Sequence, residues 1–531
     1  MFFITHQKQQ SHAMDGIVTK GNVKDNFLKL QNLLAEESSR GNATDQDNAN
    51  WIGAYVDQLD QSLFAGLNSG RGSVPHPPKA MLKVVLYEML KRILSPACWA
   101  REVLSDRILQ TLIGNIQPSR TALYQFRIRL GKIMDKLFQN LLTQAAEFGL
   151  IGKSDSAIDG TSLRSFGSRH RIVNHRTLNR RLGELSKEIE LDEQSKTSVE
   201  HPKWMGKTTG GRITQLGKYM RAIEILTQRV AANAAKPKSA QTPVERIYIS
   251  LSDPESALSR DKERVFCPQY NVQISTDTKT SLILAVDLSN RATDVGKIGS
   301  VIDKVRLTPG IELGLAHVDA GYTSLSDLRA CLDRNVEVIG PVNENGLSKE
   351  KKSKIPDSPV SKDKFRYDEA SHSYSCPAGH AMPYRQSETR RQVSGDVVYE
   401  RFIVDADVCK QCPLIAACLN GAKKKTIRRL VGQEIVDAQK AKMTDSVALA
   451  SRVMRAKTVE RTNADIKERI SLRRFGVIGM AGAKTCISTV AMVLNLMTLR
   501  TLLRFDATKK AATILSNQEK AGTMLDRIPV F

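Results

Sequence analysis

Acidic side chains are in short supply in this sequence. Its 531 residues carry 56 Asp+Glu against 79 Lys+Arg, a formal net charge of +23, with pI ≈ 9.6. A deficit of this size suits a polyanion partner. Nucleic acid is the first expectation, because Lys and Arg that neutralise phosphates release condensed counterions and so drive binding.

Long apolar runs are missing too. The longest, CISTVAMVLNLMTL from Cys486 to Leu499, is interrupted by Ser488, Thr489, Asn495 and Thr498. It is too short and too polar to span a bilayer, so no membrane partner is expected. The opening MFFITHQKQQ has neither an apolar h-region nor a small-residue cleavage site, which argues against a signal peptide. The expected location is the cytoplasm, at the nucleoid, where the 8 cysteines stay reduced as core residues or metal ligands.

What is present is ample apolar material. At 41% hydrophobic residues wholesale disorder is excluded, and 531 residues are too many for one core. Residues 1–74 form an N-terminal arm, polar over its first 50 residues and partly flexible. From 75 to 150 apolar residues recur at helical spacing, with Pro77 and Pro78 at a helix start and Ser119 as an N-cap before Arg120, Arg127 and Arg129. That helical domain is a candidate DNA-binding unit, and ordinary packing with solvated arginines explains it equally well. From 151 to 344, SDSAIDG reads as a short strand ending at Asp159, and Gln269–Ser275 and Leu282–Asp287 as two strands joined by TDTKT. TDVGKIGSVIDKV reads as a helix, LGLAHVD as a strand ending at Asp319, and NVEVIGPV as another strand. Helices alternating with strands predict an α/β fold. Thr444 to Ile470 reads as one helix with a packed stripe at 449, 453, 456, 459, 466 and 470, and Glu460 points to the same face.

Asp159 and Asp319 end apolar strands, where ligands gather in α/β sheets. Glu460 comes from a helix lying on that sheet. Three carboxylates at one edge repel one another unless cations sit between them. Two divalent ions about 3.5–4 Å apart, held by such a set, clamp the attacking and leaving oxygens of an in-line phosphoryl transfer. Hard oxygen ligands favour Mg²⁺. A chain with 56 acidic residues also places some at strand ends by chance.

Ordered motifs carry a resemblance from about Pro75 to Leu502. PHPPKAMLKVVLYEMLKRILSPACWAREV, AIDGTSLRS, SDPESALSRDKERVFCPQYNVQIS, HVDAGYTSLSDLRACLDRNVEVIGP and VERTNADIKERISLRRFG follow one another as in the DDE transposases of bacterial insertion sequences, which the chain resembles. The resemblance implies an RNase H-like mixed sheet flanked by helices, with an N-terminal all-α domain. It implies Asp159, Asp319 and Glu460 as catalytic ligands of Mg²⁺ or Mn²⁺, and Lys467, which falls at the family's lysine position, as a DNA contact together with Arg473 and Arg474. The family's upstream Tyr and Arg fall on Val453 and Ala456, so Arg452 or Arg455 is expected to stand in. The wide separations of the three acids imply two insertions, a basic helical one at about 165–250 and a cysteine-bearing one at 345–435. Residues 436–505 then complete the catalytic core and 506–531 form a tail. The implied activity is metal-dependent cleavage and strand transfer of double-stranded DNA, at the element's terminal inverted repeats and into target DNA, by a homo-oligomer assembled on DNA. A silent DNA-binding derivative and a simple metal-dependent nuclease are the alternatives.

Cys376, in SCPAGH, and Cys409, Cys412 and Cys418, in VCKQCPLIAAC, supply four thiolates in polar, turn-rich sequence. They are candidates for a closed structural Zn²⁺ site in which His380 could replace one ligand. Cys98, Cys267, Cys331 and Cys486 sit in apolar surroundings and read as inert core thiols. His317 reads as a packing or hydrogen-bonding residue, and KKKTIRRL at 423–430 as a solvated charge run.

Overall fold

The computed structural model describes residues 25–26, 28–34, 44–67, 75–194, 201–236, 238–261, 263–342, 360, 364–392, 395–419, 422 and 424–525. Most of the polar arm, and the loop ENGLSKEKKSKIPDSPVSKDKF except 360 and 364–365, lie outside them.

A mixed sheet forms the centre. Its strands are β1 (Lys153–Arg164), β4 (Ala257–Arg260), β5 (Phe266–Asp277), β6 (Ile283–Ser289), β7 (Glu312–His317) and β8 (Glu337–Ile339). β2 (Ile172–Asn174) and β3 (Tyr248–Ser250) pair separately. The sheet order is β4-β5-β1-β7-β8, with β6 beside β4 on the outer edge of β5. β1, β7 and β8 are parallel, and β5 is antiparallel to β1, β4 and β6. The expected TDTKT hairpin is the β5–β6 connection. Two strands differ from expectation: β1 runs on past Asp159 to Arg164, and NVEVIGPV contributes only Glu337–Ile339.

Helices Pro78–Leu90, Pro96–Ser105, Arg107–Leu112, Arg120–Leu130 and Met134–Glu147 follow the expected pattern, and Ser119 Oγ accepts from Ala122 N at 3.2 Å as the cap. They do not close a core of their own. The arm contributes a helix, Asp45–Gln58, that buries Trp51, Ile52, Tyr55 and Val56. Together with the sheet these helices enclose the stretch Ala483 to Leu503 of the long helix Met480–Leu525 in one continuous apolar cluster. Trp51 Nε1 donates to Leu496 O at 3.0 Å. Asn495, fully buried, accepts from Ile283 N at 2.7 Å and donates to Ile283 O at 2.8 Å, so its amide continues the ladder at the start of β6. Met480–Arg504 is long and apolar enough to cross a membrane, yet 78% of its most apolar window is buried inside the protein. The hydrophobic side chains are spent on the core.

Two further units hang from the central sheet. The first pairs helices His175–Glu193 and Thr209–Ala234 over Leu178, Leu185, Leu226 and Ile249, and β2–β3 closes it at the base. The second is a five-stranded antiparallel sheet, β9 (Arg366–Asp368), β10 (Ser373–Ser375), β11 (Ala381–Gln392), β12 (Gly395–Ile403) and β13 (Thr426–Leu430), in the order β13-β12-β11-β10-β9. Phe402, Met382 and Tyr374 fill its small core. KKKTIRRL, expected as a solvated run, enters β13, where Arg429 lies over the Tyr367 ring at 3.9 Å.

Candidate active site

In the parallel pair β1–β7, Ala157 is the register partner of His317. Asp159 and Asp319 each stand two residues beyond that pair, so the ladder itself sets the two carboxylates alongside one another. β7 ends at His317. Val318 N still donates to Ile339 O, at 3.0 Å. Asp319 then caps the 3-10 turn Ala320–Tyr322, its Oδ1 accepting from Gly321 N at 2.7 Å. It is therefore an N-cap rather than the last residue of a strand, and the capping bond fixes the direction of its carboxylate. Asp159 differs from expectation in the other sense. It lies inside β1, paired with Ile274 of β5, instead of at its end.

The expected single helix around Glu460 is three pieces: Asp445–Lys457, Val459–Ala464 and a π-helical turn, Asp465–Arg469. Thr458 makes the break at φ −114° and ψ −93°. Its hydroxyl donates back to Met454 O at 2.6 Å, the local competition with helix hydrogen bonding that Thr offers. The break shifts the phase of the packed stripe. Leu449 and Val453, expected inside, are 62% and 42% exposed, and Ala456 is exposed as well. Ser451 and Arg455 turn inward instead. Ser451 Oγ meets His317 Nδ1 at 3.1 Å and donates to Ile339 O at 3.3 Å, which ties this helix to β7 and β8. Burial lowers the pKa of His317 and favours a neutral ring in that tether.

Arg455 takes up the contact that Val453 and Ala456 cannot make. Its Nη2 lies 3.8 Å from Asp159 Oδ1 and 3.5 Å from Glu460 Oε1. Asn463 Nδ2 donates to Asp159 Oδ2 at 3.0 Å. Asp159 is only 17% exposed, while Glu460 is 46% exposed and faces outward. Burial pushes the Asp159 carboxyl up to about 6; Arg455 opposes the shift and neighbouring Asp319 adds to it.

Oxygen donors of this kind fit a hard divalent cation better than a soft one. Two glycines keep the surroundings open. A Cβ on Gly321 would sit 2.9 Å from Asp319 Oδ1, and a Cβ on Gly160 would sit 2.2 Å from Asp294 Oδ1. The three acids are not drawn to ligand spacing. Among the described residues, the acidic trio with all ligand atoms within 4.8 Å of one another is Glu88, Glu102 and Asp106. Lys91 Nζ already serves that trio, at 3.9, 3.1 and 2.7 Å. At the candidate site the Arg455 guanidinium spans Asp159 and Glu460.

Arg473 and Arg474 lie apart from this cluster. Lys467 lies in the π-helical turn, and Arg473 pairs with Glu468 at the surface. Arg474 bridges to Arg164 at the far end of β1, five residues along the strand from Asp159 and so about 17 Å away. Its guanidinium donates to Ser165 O at 3.1 Å and Phe166 O at 2.6 Å and lies over the Phe166 ring. Those bonds give it a role in holding the chain that leaves β1.

The four cysteines of the small sheet do converge. Cys376 sits in the β10–β11 turn, where its N donates to His380 O at 2.9 Å, and Cys409 and Cys418 lie on helices Ala406–Lys410 and Ile415–Leu419. Burial raises the Cys418 thiol, Lys425 opposes, and Cys409, Cys376 and Cys412 add to the rise. The donors fit zinc, but no three of their sulfurs are mutually within 4.8 Å, whereas tetrahedral Zn–S bonds of ~2.3 Å require about 3.8 Å. Cys267, Cys331 and Cys486 are buried as expected, while Cys98 is half-buried.

Several residues at the site escaped the sequence reading. Asn463 lies one turn after Glu460 on the same helical face, a spacing that could have exposed it. The run Gln269-Tyr270-Asn271-Val272-Gln273-Ile274 alternates polar and apolar residues like a half-solvated strand. Its polar face is nevertheless buried: Gln269 is 3%, Asn271 5% and Gln273 0% exposed. Asn271 Nδ2 and Gln273 Nε2 both donate to Asp294 Oδ1, at 2.8 and 2.7 Å.

No curated protein matches the chain. The family model described as "Transposase DDE domain" matches residues 375–500, a stretch holding strands β11 to β13 of the cysteine sheet, its four cysteines and the Glu460 segment but neither Asp159 nor Asp319. That match supports a transposase of the DDE family.

Proposed function

We propose that this chain cuts and rejoins DNA at the ends of its own mobile element, with Asp159, Asp319 and Glu460 holding Mg²⁺ or Mn²⁺. The observation that carries the reading is the register of β1 and β7, which sets Asp159 and Asp319 side by side beneath the segment bearing Glu460. The central sheet, with three parallel strands and antiparallel β5 and β6 on one side, supports an RNase H-like core.

A divalent cation bound there would activate water and neutralise charge on the scissile phosphate. The protein's part is to hold and orient. Asn463 fixes Asp159, and the Gly321 amide fixes Asp319. Arg455 keeps Asp159 and Glu460 from repelling one another before the cation arrives, and it is placed to pair with a phosphate once displaced. Glu460 is half exposed and stays accessible from solvent. The charge of +23 supplies the long-range attraction. The basic helical insertion at about 165–250 and the cysteine-bearing one at 345–435, with a zinc ion on its four thiolates, would grip the transposon ends, and a homo-oligomer would assemble on the DNA.

The test is strand transfer on DNA carrying the element's ends, in Mg²⁺. Asp319→Asn should abolish cleavage and joining while DNA binding survives. Asp287→Asn should change neither, because Asp287 is engaged by Lys304 and Ser300 away from the site. Joining by the Asp319→Asn protein at the wild-type rate would refute the reading.

A further inference from the structure

Asp294 is a carboxylate that the three-acid reading leaves unused. It lies in the loop between β6 and the helix Ile298–Arg306. Its Oδ1 takes two amide donors, Asn271 Nδ2 at 2.8 Å and Gln273 Nε2 at 2.7 Å. Those amides come from the buried polar face of β5, where an unmatched donor would be costly. The Gln273 amide is itself fixed, because its Oε1 accepts the hydroxyl of Tyr322, a fully buried ring. Tyr322 closes the 3-10 turn that Asp319 caps, and Tyr322 N donates to Asp319 O at 3.2 Å. One chain of contacts thus runs from Asp294 through Gln273 and Tyr322 to Asp319.

Packing makes the same connection a second way. Asp294 Oδ1 fills the place where a side chain at position 160 would stand, next in sequence to Asp159. A Cβ at position 321 would lie 3.3 Å from Asp294 Cβ and 3.5 Å from its Oδ2, as well as 2.9 Å from Asp319 Oδ1. Asp294 therefore touches both glycines that neighbour the two aspartates, one on β1 and one on the turn. Its own loop is anchored as well: buried Asp327 accepts from Gly296 N through both oxygens, at 2.8 and 3.1 Å.

We propose that Asp294 is a positioning residue, a fixed acceptor that locks the Asp319 turn against β1 so that Asp159 and Asp319 hold the spacing a shared divalent cation needs. The inference rests on the proposed cation site. It assigns Asp294 no place among the ligands: Oδ1 is committed to the two amides, and Gly160, against which it packs, projects from the opposite side of β1 to Asp159.

Cation affinity reads this out without catalysis. Mn²⁺ titrated into the full-length protein and followed by electron paramagnetic resonance should show saturable binding that Asp319→Asn removes. Asp294→Ala should weaken that binding by about 10-fold or more, the usual effect of losing a partner behind the ligands. Asp294→Asn, which keeps an oxygen for the two amides, should restore most of it, and Tyr322→Phe should weaken it in the same direction. Wild-type affinity in Asp294→Ala would overturn the inference and leave the cation site standing. Loss of binding in Asp294→Asn as complete as in Asp319→Asn would overturn it too, by making Asp294 a ligand. Absence of saturable binding in the wild type would instead sink the proposed site itself.

Discussion

Arg455 lies against Asp159, its Nη2 3.8 Å from Oδ1, although the two are far apart in the sequence. The same guanidinium reaches Glu460 at 3.5 Å. It stands where a cation would otherwise balance the two carboxylates. Arg455→Ala removes both a counter-ion and a competitor. The Mn²⁺ midpoint should hold or fall slightly, while strand transfer drops by one to two orders of magnitude, about 10–100-fold, as expected when a phosphate-orienting group is lost. A large rise in the Mn²⁺ midpoint would show that Arg455 supports cation binding instead of occupying its place.

Gly160 has no room for a side chain. Alanine there puts Cβ 2.2 Å from Asp294 Oδ1 and 2.9 Å from Gln273 Nε2, so β1 or the Asp294 loop must shift. Gly160→Ala should lose most cleavage and destabilise the protein by roughly 1–3 kcal/mol, the usual range for overpacking. Gly152→Ala is the control, since nothing lies within 4 Å of its added methyl. Equal activity and equal thermal midpoints in the two variants would contradict the packing argument.

The cysteine sheet should carry about one zinc per chain, because four thiolates complete a structural site. Cys409→Ser should lose the metal and loosen this sheet, shown by metal analysis and by faster amide exchange over 366–430. Cys98→Ser should do neither. Reduced, freshly purified protein without zinc would exclude the site.

Glu88 gives a pH dependence remote from the chemistry. It is fully buried, neither carboxyl oxygen has a hydrogen-bond partner, and Lys91 Nζ stands 3.9 Å away. Burial pushes its pKa up to about 8, with Lys91 opposing. Between the ordinary carboxyl range and about 8 the folded protein keeps a proton that the unfolded chain has released. Stability therefore falls as pH rises through that window and levels off above it. Glu88→Gln should flatten the fall and outlast the wild type above pH 8, because a neutral amide carries no charge to bury. Thermal midpoints across that pH range check it; parallel curves for the two proteins would reject it.

Local chemistry made much of this protein legible in its sequence. The Pro77-Pro78 start, the Ser119 cap and the helical spacing after it depend on neighbours within a few residues. So does the β5–β6 hairpin around TDTKT, whereas Asp319 falls two residues past the apolar strand that was expected to end on it. Pairing across the fold was decided elsewhere. The register of β1 on β7 determines that Asp159 faces Asp319, and a one-residue slip would turn either carboxylate to the opposite face of the sheet. The break at Thr458 determines that Arg455, rather than Val453 or Ala456, looks inward, and periodicity alone cannot show a change of phase. The burial of the polar face of β5 was not legible, because alternation carries no information about what covers it. Only packing, which brings the Asp294 loop and Tyr322 over that face, turned Asn271 and Gln273 into buried donors behind the site.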